Sequence, residues 1–191
     1  MFLVCGLGNP GEKYVETRHN IGFHIIDKLV SNYNFIRIKK DKKKELFKGH
    51  IGNIELILLK PLNFMNLSGV SLQETINFYK IDISKLYVIH DDIDLNLLKI
   101  KIKFGGGNAG HNGLVSIDSH VGNDYSRIRI GIGHPGNKEL VPKYVLKKFL
   151  KKEKKLINDK TNILIKYFEL IFSDHNLFLT RIAEEEKIHG L

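Results

Sequence analysis

Short strand-like runs of apolar residues alternate along this chain with stretches of helical periodicity. The runs that predict strands are residues 2–5, 45–51, 54–60, 86–90, 98–104 and 127–132. The stretches that predict helices are residues 21–32, 68–79, 112–121, 141–149, 153–172 and 177–187. Because strands that alternate with helices pack as layers of sheet and helix, we predict an α/β fold.

The composition is that of one compact domain with a basic surface. The chain has 191 residues, of which 42% are hydrophobic, and no Pro- or Ser-rich linker divides it, so we expect a single domain over residues 1–191. A formal net charge of +9 favours a polyanionic partner, above all nucleic acid, although a Lys-rich chain also carries lysines that contact only solvent. The single cysteine, Cys5, lies in an apolar strand, which predicts a buried thiol and a cytoplasmic protein. The longest apolar stretch, residues 54–59, is too short to cross a bilayer.

A glycine-rich turn follows the first predicted strand. The chain there is Gly6-Leu7-Gly8-Asn9-Pro10-Gly11, followed by Thr17-Arg18-His19-Asn20. The glycine spacing formally matches the dinucleotide-binding fingerprint, but the apolar helical stripe begins only at Ile21 and no acidic residue closes a second strand. We therefore interpret the turn as part of an active site in which His19, which can take a proton near neutral pH, is the base.

Polar side chains also follow the other predicted strands. They occur in residues 60–69, 90–94, 105–113 and 129–136. In an open α/β sheet, ligands bind outside the carboxyl ends of the strands. We expect these segments to form one cleft.

The segment His90-Asp91-Asp92-Ile93-Asp94 places three carboxylates beside a histidine. Such a group can hold a divalent cation or orient a catalytic imidazole. The residue spacings of calcium loops and of zinc sites do not occur in the sequence, and we predict no metal. We select Asp91 as the carboxylate that orients the imidazole, because this contact fixes the tautomer and stabilises the imidazolium. For Asp92 and Asp94 we predict capping of a turn or helix.

Three asparagines, Asn9, Asn66 and Asn112, lie in glycine-containing segments. A side-chain amide both donates and accepts, so the three together suit recognition of an ester or a water molecule, although each alone is commonly a turn residue. Ser68 is an alternative nucleophile, but no Gly-x-Ser-x-Gly elbow surrounds it. Its position predicts a helix N-cap instead.

Two lysine-rich segments account for part of the charge. In Lys99-Ile100-Lys101-Ile102-Lys103-Phe104 the strict alternation predicts a strand with one buried face and three lysines on the other. The lysines of this basic strip either bind a polyanion or protect an edge strand from aggregation. Residues 39–44 contain five lysines interrupted by Asp41 and predict an exposed loop.

Taken together, these segments resemble the motifs of the bacterial-type peptidyl-tRNA hydrolases, in that family's order and over nearly the whole chain. The similar segments are residues 6–11 with Tyr14 and residues 17–20, residues 60–61 with 64–66 and 68–69, residues 90–94, residues 105–107 with 110–113, and residues 127–135. The resemblance implies a monomeric single domain with a twisted mixed β-sheet packed between α-helices. It further implies a cytoplasmic enzyme that cleaves the ester between a peptide and the terminal ribose of tRNA, without metal or organic cofactor.

The resemblance also implies roles for individual residues. His19 is the general base that activates water and Asp91 holds and polarises it. Asn9, Asn66 and Asn112 are implied to position the water and the ester. The residues implied to line the cleft are Tyr14, Asn20, Met65 and His111. Lys103 and Arg129 are implied to bind a phosphate of the tRNA. Asn63 and Asn108 stand where the family commonly has threonine and histidine, so their roles stay open. A non-catalytic RNA-binding protein on the same scaffold is the alternative function.

Overall fold

The computed structural model of this chain describes residues 1–190, which form one mixed seven-stranded sheet with helices on both faces. The strands are β1 (Phe2–Gly6), β2 (Ile36–Lys40), β3 (Lys44–Ile51), β4 (Ile54–Pro61), β5 (Leu86–Asp92), β6 (Ile100–Phe104) and β7 (Ser126–Gly131). The helices are α1 (Ile21–Asn32), α2 (Ser68–Tyr79), α3 (Asn112–Val121), α4 (Val141–Val145), α5 (Lys151–Lys166) and α6 (His175–His189). The predicted α/β fold with a mixed sheet between helices is confirmed.

The strand order is β2-β3-β4-β1-β5-β7-β6. The four central strands β4, β1, β5 and β7 run parallel, and the pairs β2 with β3, β3 with β4 and β6 with β7 are antiparallel. Alternate residues of β1 enter different layers: Val4 packs in the core on the side of α1, α5 and α6, whereas Leu3 and Cys5 pack on the side of α2 and α3. The burial predicted for Cys5 is confirmed.

The sequence pattern predicted the bounds of α1, α2 and α3 as the structure has them. The exposed loop predicted for residues 39–44 is wrong at both ends. Lys39 and Lys40 belong to β2, whose residues are all exposed, and Lys44 begins β3, where it is buried and its Nζ lies 3.0 Å from Oε2 of Glu74. An edge strand with no buried face lacks the alternation that identifies strands, so a charged segment of this kind resembles a loop.

Helix α1 packs tightly against the carboxyl ends of β1 and β5. A Cβ atom on Gly22 would overlap the backbone nitrogen of Leu7 and lie 2.6 Å from the carbonyl oxygen of Ile89. The helix begins at Ile21 as predicted. Gly11 does not open an α-helix, as the last glycine of a dinucleotide-binding fingerprint would, but precedes a short 3-10 turn at Glu12–Tyr14. This arrangement carries a second 3-10 turn, Arg18–Asn20, to the end of β5.

Two lysines of the predicted strip, Lys101 and Lys103, lie on β6, the edge strand beside β7, and Lys99 directly precedes this strand. The other face of the strand is buried only in part, because Phe104 at its end is exposed. Lys99, Lys101 and Lys103 are exposed, whereas Ile100 between them is buried. In the antiparallel register Lys101 pairs with Arg129. Within residues 1–190, no helix combines the length and apolar character needed to cross a membrane.

Candidate active site

His19 and Asp91 meet at the carboxyl end of β5. His19 lies in the turn Arg18–Asn20, and its Nδ1 is 2.9 Å and 3.0 Å from the two carboxylate oxygens of Asp91, the last residue but one of the strand. An ionised carboxylate only accepts, so Nδ1 carries the hydrogen and donates. The lone pair of the neutral ring is therefore on Nε2, which makes no hydrogen bond within residues 1–190.

His111 is a second donor to the same carboxylate. Its Nε2 lies 3.0 Å from Oδ1 of Asp91, while its Nδ1 accepts from the backbone N–H of Gly113 and Leu114 at the start of α3. Because Nδ1 accepts, Nε2 carries the hydrogen of the neutral ring and donates to Asp91. The carboxylate thus lies between two imidazoles, whose ring centroids are 4.8 Å apart, and both hold it in place.

Charges in this cluster favour an ionised Asp91 beside a basic His19. Burial alone would lower the pKa of His19, but the negative charge and hydrogen bond of Asp91 outweigh it, and the net result is a raised pKa. Burial alone would raise the pKa of the Asp91 carboxyl, but the two histidines hold it well below its usual range. A carboxylate that remains ionised and raises the proton affinity of an imidazole is what a histidine base requires.

His90 lies beneath the cluster and was given no role by the sequence. It is buried, and its Nδ1 donates to the carbonyl oxygen of Asp91 at 2.7 Å. Burial lowers the pKa of His90 to about 3, so the ring is neutral at physiological pH. Its Nε2 is buried and has no hydrogen-bond partner in the described residues. We assign His90 to the support of the Asp91 backbone, a contact that strand register determines and local sequence does not.

Asn9 is fixed by two neighbours. Its backbone N–H donates to Oδ1 of Asn20, and Nδ2 of Asn20 donates back to the Asn9 carbonyl, both at 2.9 Å. The Asn9 side-chain oxygen accepts from the backbone N–H of Met65 at 2.8 Å. Its amide N–H groups are therefore the part left to contact a substrate. Both side-chain groups of Asn20 are engaged with Asn9, so in this structure Asn20 acts by holding Asn9.

Three further residues that the sequence analysis expected at the cleft are Asn66, Asn112 and Tyr14. Asn66 is exposed directly after the buried Met65, and Asn112 is exposed as the first residue of α3. Tyr14 is half-buried, and its ring packs edge-on against Phe64 with centroids 6.5 Å apart. Tyr14 and Asn66 lie in 3-10 turns that come after β1 and β4 along the chain, whereas Asn112 begins α3.

A cavity of about 410 Å³ opens beside the cluster. Among the residues predicted for the site, those that line it are His19, Asp91, Lys103, His111, Asn112 and Arg129. Asn9 and Asn20 instead line a second cavity of about 450 Å³. One wall of the first cavity consists of Val141, Pro142 and Val145, apolar residues of α4 that sequence analysis did not assign.

The two basic residues of the cavity differ in their pairing. Arg129 Nε donates to Oδ2 of Asp92 at 2.6 Å, and the other carboxylate oxygen of Asp92 accepts from the backbone N–H of Asp94. The turn cap predicted for Asp92 is confirmed, but its ion pair with Arg129 was missed because it depends on the register between β5 and β7. Lys103 is exposed and has no carboxylate within 4.0 Å of its ammonium in residues 1–190.

The position of Ser68 differs from the one that the sequence analysis predicted. Ser68 is fully buried as the first residue of α2, the N-cap is Leu67, and the Ser68 hydroxyl donates to the carbonyl oxygen of Met65 at 2.9 Å. The predicted N-cap role is therefore wrong, because the hydroxyl donates backwards instead of accepting from the helix. Burial also removes this hydroxyl from any substrate.

His19, Asp91 and His111 each offer one atom of the kind that binds metals, and these atoms lie within 4.8 Å of one another. The hydrogen bonds between them account for this proximity. Both imidazole nitrogens that face the carboxylate carry hydrogens, so a cation would have to replace both contacts. The arrangement fits a hydrogen-bonded base and its orienting carboxylate better than a set of metal ligands.

Comparisons with known proteins show which family the sequence and the fold match. The sequence model of a family described as peptidyl-tRNA hydrolase matches residues 3–188. The chain is 43% identical over 192 residues to a peptidyl-tRNA hydrolase of Bartonella quintana and 44% identical over 191 residues to one of Novosphingobium aromaticivorans, and each alignment covers 100% of both chains. A crystal structure of peptidyl-tRNA hydrolase from Acinetobacter baumannii superimposes with a TM-score of 0.88 at 36% identity, covering 95% of this chain and 94% of that one. The chain belongs to the peptidyl-tRNA hydrolase family.

Proposed function

We propose that this chain hydrolyses the ester that joins a peptide, or an N-blocked aminoacyl group, to the terminal ribose of tRNA, with His19 as general base. The observation that carries the proposal is the pairing of His19 Nδ1 with Asp91, which leaves Nε2 as the free basic nitrogen beside a cavity that also contains Lys103 and Arg129. A base and two phosphate-binding cations around one cavity suit an ester on the end of an RNA.

In the proposed reaction, Nε2 of His19 takes a proton from a water molecule, whose oxygen attacks the ester carbonyl. The resulting oxyanion is stabilised by side-chain amide N–H donors. Asn112 lines the cavity beside His19, and the Asn9 amide is oriented because its oxygen accepts from the backbone N–H of Met65. The bond to the ribose oxygen then breaks, and the imidazolium returns its proton to that oxygen. Proton transfer contributes roughly 10²- to 10⁴-fold and one oxyanion donor roughly 10²- to 10³-fold. None of these steps requires a metal or an organic cofactor.

For the amides Asn66 and Asn112 we propose contacts with the ester and its peptide. Both are exposed, Asn112 lines the cavity beside His19, and Asn66 directly follows Met65, whose backbone N–H donates to Asn9. His111 is proposed to act through Asp91, and Tyr14 and Met65 to form the apolar side of the cleft. We further propose that one copy of the chain is sufficient for activity, because residues of a single chain surround the base. A cytoplasmic location follows for an enzyme whose substrate is formed during translation.

Lys103 and Arg129 give a prediction about binding of tRNA. Each phosphate contact made by a cation contributes roughly one unit to the slope of log affinity against log salt. Lys103→Ala is expected to weaken affinity and flatten this slope by about one unit. Arg129→Ala should flatten it by less, because Arg129 is already partly neutralised by Asp92. The measurement is the affinity for deacylated tRNA at several salt concentrations.

The control for this measurement is Lys187→Ala, which removes another exposed charge, near the end of α6, from a residue that does not line the cavity. It should leave the slope close to that of the parent. An unchanged slope in Lys103→Ala would remove Lys103 from the phosphate contact.

Ser68 provides a test of the alternative covalent route. Ser68→Ala removes one buried hydrogen bond to the Met65 carbonyl, so we expect the free energy of unfolding to fall by about 1 kcal/mol while the rate per folded molecule is retained. Chemical denaturation and acyl release from a labelled substrate measure the two quantities. Near-total loss of turnover in a folded variant would instead indicate a serine nucleophile.

The experiment that tests the proposed function is incubation of the protein with labelled N-blocked aminoacyl-tRNA, with release of the acyl group as readout. A non-catalytic RNA-binding protein would bind this substrate and release nothing. The ordered His19–Asp91 pair, with its second histidine donor, argues against that alternative because RNA binding alone needs no such base.

A further inference from the structure

Arg18, the residue before the proposed base, makes an unusually large set of contacts for a buried arginine. Only 5% of it is exposed, and its guanidinium donates to the carbonyl oxygen of Lys148 at 2.9 Å and to that of Lys147 at 3.3 Å. Its other terminal nitrogen donates to both carboxylate oxygens of Glu153, at 3.1 Å and 2.8 Å. A planar fork of donors makes such a set, and a lysine ammonium does not.

Aromatic rings add to these contacts. The Arg18 guanidinium lies over the ring of Tyr144, 4.5 Å from its centroid, and over that of Phe149 at 5.0 Å. The Tyr144 hydroxyl in turn donates to the carbonyl oxygen of Ile132, just after β7, at 2.6 Å. The positive charge of Arg18 therefore contacts the faces of two aromatic rings. Both rings belong to residues 141–150, which we call the wall segment.

Backbone hydrogen bonds join the same two parts of the chain. The N–H of Arg18 donates to the Lys147 carbonyl, and the N–H of Phe149 donates to the Glu16 carbonyl. Glu153 also accepts from the backbone N–H of Leu150 at 2.6 Å, so one carboxylate ties the end of the wall segment to the start of α5 and to Arg18. The wall segment therefore has a fixed position relative to the turn that carries His19.

The wall segment matters for the site because Val141, Pro142 and Val145 line the cavity beside His19. We propose that Arg18 is a positioning residue, which through Glu153 and the wall segment fixes the distance between this apolar wall and the His19 ring. The inference rests on the proposed function. Its physical basis is that a displacement of about 1 Å in a reacting group costs up to about 10²-fold in rate, so a base on a short turn requires an anchor.

Glu153→Gln tests the proposal, and Glu16→Gln is its matched control. Both carboxylates join the turn region to α5, and Glu16 accepts from Lys154 at 2.7 Å, but Glu16 makes no side-chain contact with Arg18. For Glu153→Gln we expect kcat to fall about tenfold with KM within about twofold of the parent, because binding cations are untouched. Glu16→Gln should keep both constants.

Arg18→Lys is the second variant, in case Glu153→Gln folds poorly. An ammonium has three donors on one nitrogen and cannot make the four contacts that the two terminal nitrogens of Arg18 make, so kcat should again fall at unchanged KM. Circular dichroism and thermal unfolding give the folded fraction to which rates are normalised. In the double variant the losses should not add, because the two side chains act through one contact.

The kinetic results distinguish a failure of the positioning role of Arg18 from a failure of the proposed function. Parent-like kcat in folded Glu153→Gln and Arg18→Lys, or equal losses in Glu153→Gln and Glu16→Gln, would overturn the positioning role while the parent still releases the acyl group. A parent protein that releases none would instead overturn the proposed function.

Discussion

Replacing His19 with alanine is expected to lower kcat/KM for N-blocked aminoacyl-tRNA by roughly 10²- to 10⁴-fold, the usual contribution of a positioned general base. The physical reason is specific to this site. Nδ1 of His19 is held by Asp91, so Nε2 is the nitrogen that takes the proton from water. Affinity for deacylated tRNA should change little, because the proposed phosphate contacts belong to Lys103 and Arg129. Acyl release and tRNA binding are measured on the same preparation.

His50→Ala is the matched control for this prediction. His50 is an exposed histidine on β3 and is remote in sequence from every residue of the cluster. It should keep the rate of the parent. A rate near that of the parent in His19→Ala would show that another group activates the water, and the proposed mechanism would be wrong.

Asp91→Asn should be nearly as damaging. Both histidines donate to Oδ1 of Asp91, and Nδ1 of His19 also lies 3.0 Å from Oδ2. In the amide, an NH₂ group that only donates replaces one of these oxygens and no negative charge is left, so the His19 ring meets a donor where it had an acceptor. The ring is then expected to rotate or change tautomer, and in histidine–aspartate catalysis this error costs up to about 10⁴-fold in kcat. We expect a loss of at least about 10²-fold in kcat, with the fold retained.

The same variant changes the pH dependence in a defined direction. Since the base must be unprotonated, activity falls as pH drops below the pKa of His19. Asp91 is what raises that pKa, against the effect of burial. Removal of its charge should therefore shift the acid limb of the kcat/KM profile to lower pH. Asp124→Asn, which neutralises an exposed carboxylate without hydrogen-bond partners in the described residues, should leave the limb in place.

Local pattern was enough to predict much of the fold. The stripe of apolar residues from Ile21 gave α1 its bounds, and strict alternation gave the lysine face of β6, because both depend on which side of one element is buried. The predicted meeting of His19 and Asp91 also agrees with the structure, since His19 lies in the connection after β1 and Asp91 lies near the carboxyl end of β5, and these two parallel strands are neighbours. Their catalytic roles stay predictions.

What the pattern did not predict depends on register and on distant contacts. The pair of Arg129 with Asp92 follows from the alignment of β5 with β7, in which Asp92 lies beside Gly131, and no local signal encodes that alignment. Arg18 was quoted only as part of a motif, yet its partners lie in the wall segment and α5, 129 to 135 positions away. Strand β2 was missed because it buries neither face.

The separation of the reacting groups along the chain has a consequence for the protein during its own synthesis. His19 and Asp91 are 72 positions apart, and the anchor on Glu153 comes later still. A growing copy on the ribosome therefore already exposes basic residues while its base lacks an anchor. We therefore expect the full rate to be reached only after the wall segment and α5 have been synthesised and Glu153 can bind Arg18.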